Sequence, residues 1–585
     1  MHYIWILWIL LTIFSSLDFK TNIKTNQRDE KISIKKDTII YPTDYFRAPL
    51  DLSIILAGSF GEIRNNHFHS GIDIKTNQRE GYPVYASADG YISRIRVQAV
   101  GYGNALYINH PNGYTTVYGH LQRFNPAIKQ TAKSYQYLKE SFEIDLPLEQ
   151  LTLPVKKGDV IGWSGNSGGS AGPHLHFEIR DTQTEETINP QLFGLKVLDH
   201  IKPVINGFYV YIMDGKPFSD NTEKQFFKVT GTTGKYRLLS SKIITADTQI
   251  GLGIRTYDKN SSSSNYNGVY SIELLMDEKP IFSSIWDRFS FYHSKGVNSH
   301  IDFPAFSNTN IIIQKTFVEP GNPLSLYKIL ESKGLINPSD DTTHHFKFIV
   351  KDIAGNSSTL DLKIKFNSKS TIQDQKVSGN LFSYNQINNY SNGTVKVSIP
   401  PGVLYSDLAF NYFSTPKAMG MEAYSSVHHI HNSLIPLHSN YTLGIKPDNN
   451  LPVELCTKAL IVDNKGNAQG GEYQDGYIKA SMRNFGSFYI KLDTIAPKIH
   501  PINLSEGKSM SGLSKIKLKI SDNLSGIRSY VGTIDGKWIL MEYDAKTATL
   551  IHSFDERTLP GKHVFKLVLT DMKDNNATYT ANFYR

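Results

Sequence analysis

At 585 residues the chain is too long for one hydrophobic core, and at roughly 150 residues per domain it divides into about four units. Its 40% hydrophobic, 12% aromatic and 20% charged content excludes a disordered or fibrous chain, and the abundance of Tyr, Phe and Gly favours β-structure. A net charge of +8 suits an anionic partner such as a cell-wall polymer, although an ordinary basic surface accounts for it equally well, and nucleic acid is not expected as a partner.

The N-terminus reads "MHYIWILWILLTIFSSLDFK", with an apolar run from Tyr3 to Phe14. That is shorter than the roughly 20 residues of a membrane-spanning helix, and Ser15 and Ser16 follow where a signal peptidase cuts. Residues 1–17 therefore read as an export signal, directing the chain to the periplasm or cell envelope. No Lys or Arg precedes the run, and Phe14 fits poorly three positions before a cut after Ser16, so an uncleaved N-terminal anchor is the alternative. No other transmembrane span is expected. Residues 18–44 are polar and read as a linker. The single cysteine, Cys456, excludes an internal disulfide, a zinc site built from several cysteines, and a lipid-bearing cysteine after the signal.

From Tyr45 to Leu198 short apolar runs alternate with Gly-rich turns. Six of the 19 histidines fall between His67 and His176, and the informative ones sit in "HFHSGIDI", "TTVYGHLQRF" and "GPHLHFEIRD". In an extended strand, His174, His176 and Glu178 share one face while Leu175, Phe177 and Ile179 share the other. A catalytic zinc commonly takes three ligands from His and carboxylate groups and keeps a fourth position for water. His69, Asp73 and one of the pair His174/His176 complete such a set, leaving the other imidazole to reach the water. In a straight strand His69 and Asp73 would lie about 13 Å apart, so the segment must bend, and Gly71 permits it. After Asn125 the stretch "PAIKQTAKSYQYLKESFEIDLPLEQL" interrupts the strands, and its early part suits a short inserted helix.

The segments "FHSGIDI", "YGHL" and "GPHLHFEI" resemble the three signature segments of the lysostaphin-type zinc endopeptidases, bacterial enzymes that cleave peptide cross-links of peptidoglycan. "PVYASADGYI", "GYGNALYINHPNGY", "VKKGDVIGWSGNSGGSAG" and "INPQLF" match in the same order, so the resemblance runs from about Phe60 to Phe193. It implies an antiparallel β peptidase domain, one Zn2+ held by His69, Asp73 and His176, catalytic roles for His120 and His174, and peptidoglycan stem peptides as the partner. No signature position is substituted. The departure is a longer connection between His120 and Val155. The connecting segments resemble the broad endopeptidases and no separate wall-anchoring module is visible, which favours a direct D-Ala to diaminopimelate link over a glycine bridge. Two other functions stay in view: a regulator of other wall hydrolases, as in relatives that have lost ligands, and an adhesin working through the C-terminal domains.

Beyond Leu198 the chain repeats. Asp352 precedes Asn356 by four residues in "VKDIAGNSS", and the offset recurs at Asp463/Asn467 and Asp571/Asn575, at intervals close to the roughly 100 residues of an immunoglobulin-like sandwich. "SGIRSY" near Gly526 echoes "LGIRTY" near Gly253. The expected architecture is thus all-β: a peptidase domain over 45–198, an Ig-like sandwich over 199–368, a β-sandwich over 375–491 and a second Ig-like sandwich over 492–585. A fragment ending near Leu198 is expected to fold by itself. His67 reads as a groove or surface residue, His110 as a turn residue, and the Gly run "GNSGGSAGP" as a tight turn rather than a phosphate loop, since no Lys-Ser/Thr pair follows. The cluster "HHIHNSLIPLH" has no neighbouring carboxylate and reads as structural, as do His344 and His345.

Overall fold

Strand after strand obeys the period-2 pattern. Ser357–Phe366 buries Ser358, Leu360, Leu362, Ile364 and Phe366 and exposes Asp361, Lys363 and Lys365 between them. The computed structural model describes residues 40–240, 243–337, 340–367, 380–448 and 451–585. The expected export signal, and the linker up to residue 39, lie outside these residues. Pro42–Arg585 forms one compact unit. Among the described residues no helix is long and apolar enough to cross a membrane. The all-β architecture read from the sequence is the one that forms.

The N-terminal part is built on an antiparallel sheet in the order Leu56–Gly58, Ile72–Lys75, His174–Asp181, Tyr114–Leu121, Asn104–Asn109, Gly90–Val97, Ile144–Pro147. His174–Asp181 lies centrally. Leu175, Phe177 and Ile179 are fully buried on one face, as alternation requires, and His176, Glu178 and Arg180 are buried on the other. The insertion after Asn125 does contain a helix, Pro126–Lys139. Asn125 caps it by accepting a hydrogen bond from Ile128 N, Pro126 occupies the first turn, and Glu140 closes it in the left-handed conformation. The rest of the insertion supplies Ile144–Pro147 as the edge strand of the sheet.

Three further pairs of sheets follow. Residues 204–366 place Phe208 of a four-stranded sheet against Phe348 of a larger one, ring centroids 5.8 Å apart. Residues 380–492 form two five-stranded sheets around one core that includes Val397, Leu443, Ile461 and Ile490. In residues 498–584, Ile516 and Leu518 of one sheet meet Phe565 and Leu567 of the other. The repeated Asp/Asn pairs are Asx turns in which the Asp carboxylate accepts from the Asn backbone N–H, at 2.8 Å for Asp352, 2.9 Å for Asp463 and 2.8 Å for Asp571.

The peptidase part does not stand alone. Its sheet continues through Thr187–Ile188 to Arg288–Phe289, a strand supplied by the following 199–368 region. Phe60 packs on Phe289 at 4.9 Å between ring centroids, and Phe68 packs on Trp286, Phe289 and His300. Gly61, at φ +73°, lies so close to the Trp286 ring that a Cβ would come within 2.4 Å of it. These contacts give the two regions a shared core. The last sandwich also returns to the first part. Lys133 Nζ lies 2.6 Å from Asp555 Oδ2, the Tyr137 ring lies 5.0 Å from Trp538, and Lys546 Nζ reaches Asn166 Oδ1 at 3.1 Å.

Candidate functional site

Register brings the separated stretches together. His176 stands opposite Asp73 on one neighbouring strand and Gly119 on the other, so the residue after Gly119, His120, arrives beside the histidine pair. The bend inferred between His69 and Asp73 occurs where the chain leaves strand His67–Phe68 and re-enters strand Ile72–Lys75. Gly71 is needed there for close approach rather than for an unusual dihedral, since a Cβ would come 2.3 Å from the Phe177 carbonyl oxygen. Gly119 likewise leaves room for the His176 ring, with a built Cβ only 3.3 Å from His176 Cβ.

Three buried ligand atoms form a near-equilateral triangle. His69 Nε2 is 3.0 Å from His176 Nδ1 and 3.1 Å from Asp73 Oδ1, and His176 Nδ1 is 2.9 Å from Asp73 Oδ1. His69 Nδ1 donates to the Ser59 carbonyl at 2.8 Å, and His176 Nε2 donates to Glu178 Oε1 at 2.8 Å. Both imidazoles therefore turn a lone pair toward the Asp73 carboxylate. Two lone pairs and an anionic oxygen at such distances call for a cation among them. Tetrahedral zinc, with bonds of about 2.0–2.1 Å, separates its ligands by about 3.3 Å, so the donor set and its spacing fit that ion.

The electrostatics agree. Burial pulls the His69 imidazole down to about 4, keeping it neutral. Although burial opposes it, His69, His174 and His176 hold the Asp73 carboxyl well below its ordinary range. Burial also works against charge on His176, yet Asp73 and Glu178 on either side pull its pKa up to about 9.

His174 and His120 sit at the open side of the triangle. His174 Nδ1 donates to the Gly172 carbonyl at 2.8 Å, and its Nε2 lies 3.3 Å from Asp73 Oδ1. His120 Nδ1 donates to the Ser167 carbonyl at 2.9 Å, and the two rings meet edge to face at 4.8 Å. His120 occupies the left-handed region at φ +59°, a strained conformation for a non-glycine residue that aims its ring across the strand. Burial, reinforced by His176 and His174, pulls its pKa down to about 3. A groove of about 530 Å³ opens on the His174 side, bordered by Ala57, Lys75 and Pro173.

Several participants were not assigned by sequence. Glu178, fully buried, binds His176 and is itself held by Ser70 Oγ at 2.6 Å, Tyr102 Oη at 2.5 Å and Arg180 Nε at 2.6 Å. Alternation put Glu178 on the histidine face but gave it no role. Arg64 Nη2 donates to Asp73 Oδ2 at 2.6 Å, and nothing in the local sequence marks that pair. Of the other histidines, His67 Nδ1 bonds the Asn65 carbonyl, while His110, at its turn, is buried between Asp89 O and Thr116 Oγ1. His428 and His429 are held by Tyr412 and Ser487 and join no metal-competent group among the described residues. Replacing Glu178 by Gln should weaken zinc affinity or activity about 10- to 100-fold, because the carboxylate fixes the His176 tautomer. Competition with a calibrated chelator measures it, and unchanged affinity and rate would remove Glu178 from the supporting role.

The family model described as Peptidase family M23 matches residues 67–140 and 150–190, and a Zu5-like domain model matches 379–493. The gap in the first match falls within the insertion. The chain is 39% identical over 112 residues to the DD-carboxypeptidase/endopeptidase Mpg of Neisseria meningitidis serogroup B, covering 19% of this chain and 20% of that protein. It is 33% identical over 111 residues to the peptidoglycan DD-endopeptidase ShyA of Vibrio cholerae, covering 19% and 20%. The catalytic domain of lysostaphin from Staphylococcus simulans superposes with a TM-score of 0.19 at 23% identity, over 24% of this chain and 93% of that one. The match thus spans about a fifth of the length of the curated relatives. Residues 67–140 and 150–190 thus match peptidase family M23, within a much longer β-rich chain.

Proposed function

We propose that this chain is an exported zinc endopeptidase that hydrolyses peptide cross-links of peptidoglycan. The observation that carries the reading is the buried triangle of His69, Asp73 and His176 with the His120 and His174 imidazoles at its open side. The names of the relatives, a DD-carboxypeptidase/endopeptidase and a peptidoglycan DD-endopeptidase, supply the substrate class. Zinc, when bound, polarises the scissile carbonyl and brings the pKa of water down towards about 7.

The chain's own residues do the rest. His69 turns Nε2 and His176 turns Nδ1 toward Asp73, their other ring nitrogens held by Ser59 O and Glu178. Asp73 contributes charge and is oriented by the hydrogen bond from Arg64. His174, its Nδ1–H anchored on Gly172 O, offers Nε2 as the proton acceptor. The proton taken up by His174 Nε2 is the one returned to the departing amine, and His120, held at Ser167 O with its ring edge to face against His174, orients the reacting groups beside it.

The test is digestion of sacculi carrying direct cross-links, and separately of walls with pentaglycine bridges, each with and without chelator. Chelator-sensitive conversion of dimeric to monomeric muropeptides in the first is expected. Cleavage only of the second would reassign the bond, and cleavage of neither would turn the reading toward a regulator.

A further inference from the structure

A second group of buried carboxylates lies where the peptidase part joins the following region. Asp199 comes just after the peptidase segment, Asp258 follows strand Ile250–Tyr257, and Asp352 opens the Asx turn after strand Thr343–Lys351. One oxygen from each lies within 4.8 Å of the others, and the three residues are only 7%, 3% and 3% exposed. The donors that reach them are neutral: Asn260 Nδ2 and Ile201 N on Asp199, Asn356 N and Nδ2 on Asp352, and the Lys259 backbone on Asp258. Asp258 Oδ1 has no hydrogen-bond partner at all. Nor has Oδ1 of Asn267, a residue 4% exposed that is tied to Asp199 through Asn260.

Buried acceptors are ordinarily satisfied, and buried like charges are ordinarily compensated. Here burial, with Asp199 and Asp352 alongside, pushes the Asp258 carboxyl up to about 8. The arrangement recurs near the C-terminus. Asp493, Asp522 and Asp571 converge in the same way, Asp522 Oδ1 also lacks a partner, and Asn575 Nδ2 bridges Asp571 Oδ2 and Asp493 O as Asn356 Nδ2 bridges Asp352 Oδ2 and Asp199 O. The Asp463–Asn467 turn makes the same local hydrogen bonds but is exposed and belongs to no such group among the described residues.

We propose that Asp199, Asp258 and Asp352 bind one Ca2+ ion, with Asn267 as the neutral oxygen ligand, and that the ion fastens the end of the peptidase segment to the adjoining sandwich. The ligands are all hard oxygen donors without nitrogen or sulfur, which selects Ca2+ or Mg2+ over zinc. The oxygens lie within 4.8 Å of one another, inside the span of two Ca2+–O bonds of about 2.3–2.6 Å, and a buried cage of protein oxygens suits Ca2+, whereas Mg2+ usually keeps several waters.

The experiment is calorimetric titration of CaCl2 into the zinc-saturated full chain in calcium-stripped buffer, beside the Asp258→Asn, Asp199→Asn and Asp463→Asn variants. Asp258→Asn and Asp199→Asn should each bind one Ca2+ fewer than the unaltered chain, and Asp463→Asn the same number. CaCl2 should raise the melting temperature of the unaltered chain more than that of Asp258→Asn, and MgCl2 at the same concentration should raise neither. Asn is isosteric and relieves repulsion, so Asp258→Asn should be the more stable of the two without calcium. If the unaltered chain takes up no Ca2+, or loses none on either substitution, the site is a proton-sharing carboxylate cluster and the proposal fails.

Discussion

Replacing His69, Asp73 or His176 by Ala should remove bound zinc and hydrolysis together, if the proposed site is the one at work. Each residue contributes one corner of a triangle with sides of 2.9–3.1 Å, and a site left with two corners no longer closes around the ion. His120→Ala and His174→Ala should separate the two losses. Neither ring supplies a corner, so zinc stays stoichiometric while the rate falls by about 10²- to 10⁴-fold, the range of a positioned acid or base. Elemental analysis of the purified variants, read beside muropeptide release, checks both statements. A variant at one of the three corners that retains full zinc would remove that residue from the ligand set.

The second large effect comes from shortening the chain. A fragment ending at Leu198 loses the strand Arg288–Phe289 that completes its sheet, the Trp286, Phe289 and His300 rings against Phe60 and Phe68, and the Arg288 contact to Glu186. Exposing two buried Phe side chains costs about 3–6 kcal/mol at about 1.5–3 kcal/mol each, a large part of the about 5–15 kcal/mol that holds a typical domain folded. The fragment should therefore be aggregated, or melt far below the full chain, whereas one ending at residue 367 keeps these contacts and should be soluble. Equal melting temperatures for the fragment ending at Leu198 and the full chain would show that the shared core is dispensable.

That contrast marks what a sequence carries and what it does not. The polarity of "GPHLHFEIRD" is local, so alternation sufficed to put His174, His176 and Glu178 on one face. The need for a bend between His69 and Asp73 followed from strand rise alone, although Gly71 serves close approach to Phe177. Gathering the three histidine stretches into one site rested on resemblance, because register between strands is not written in any one of them. Arg64 on Asp73, Tyr102 on Glu178 and Phe68 on Trp286 are all pairings between distant segments, and Phe68 looks like any other core residue until its partner is known. The Asp/Asn repeat was legible as a turn. That Asp352 meets Asp199 and Asp258 was not, since neither of those residues belongs to the repeated motif.

The contacts between the first and last parts of the chain also set a schedule. Lys546 and Asn166 are 380 positions apart, and Lys133 and Asp555 are 422 apart. At about 5–20 residues per second of synthesis, the loop that carries Ser167, the anchor of His120, waits about 20–80 s for its neighbour from the last sandwich to be made. Such distant pairings are also slow to form once both ends exist. A nascent chain thus holds the His69, Asp73 and His176 cluster long before it has the wall beside it, and a product that stops early would keep these side chains, with His120 and His174, while one flank of their surroundings stayed permanently missing.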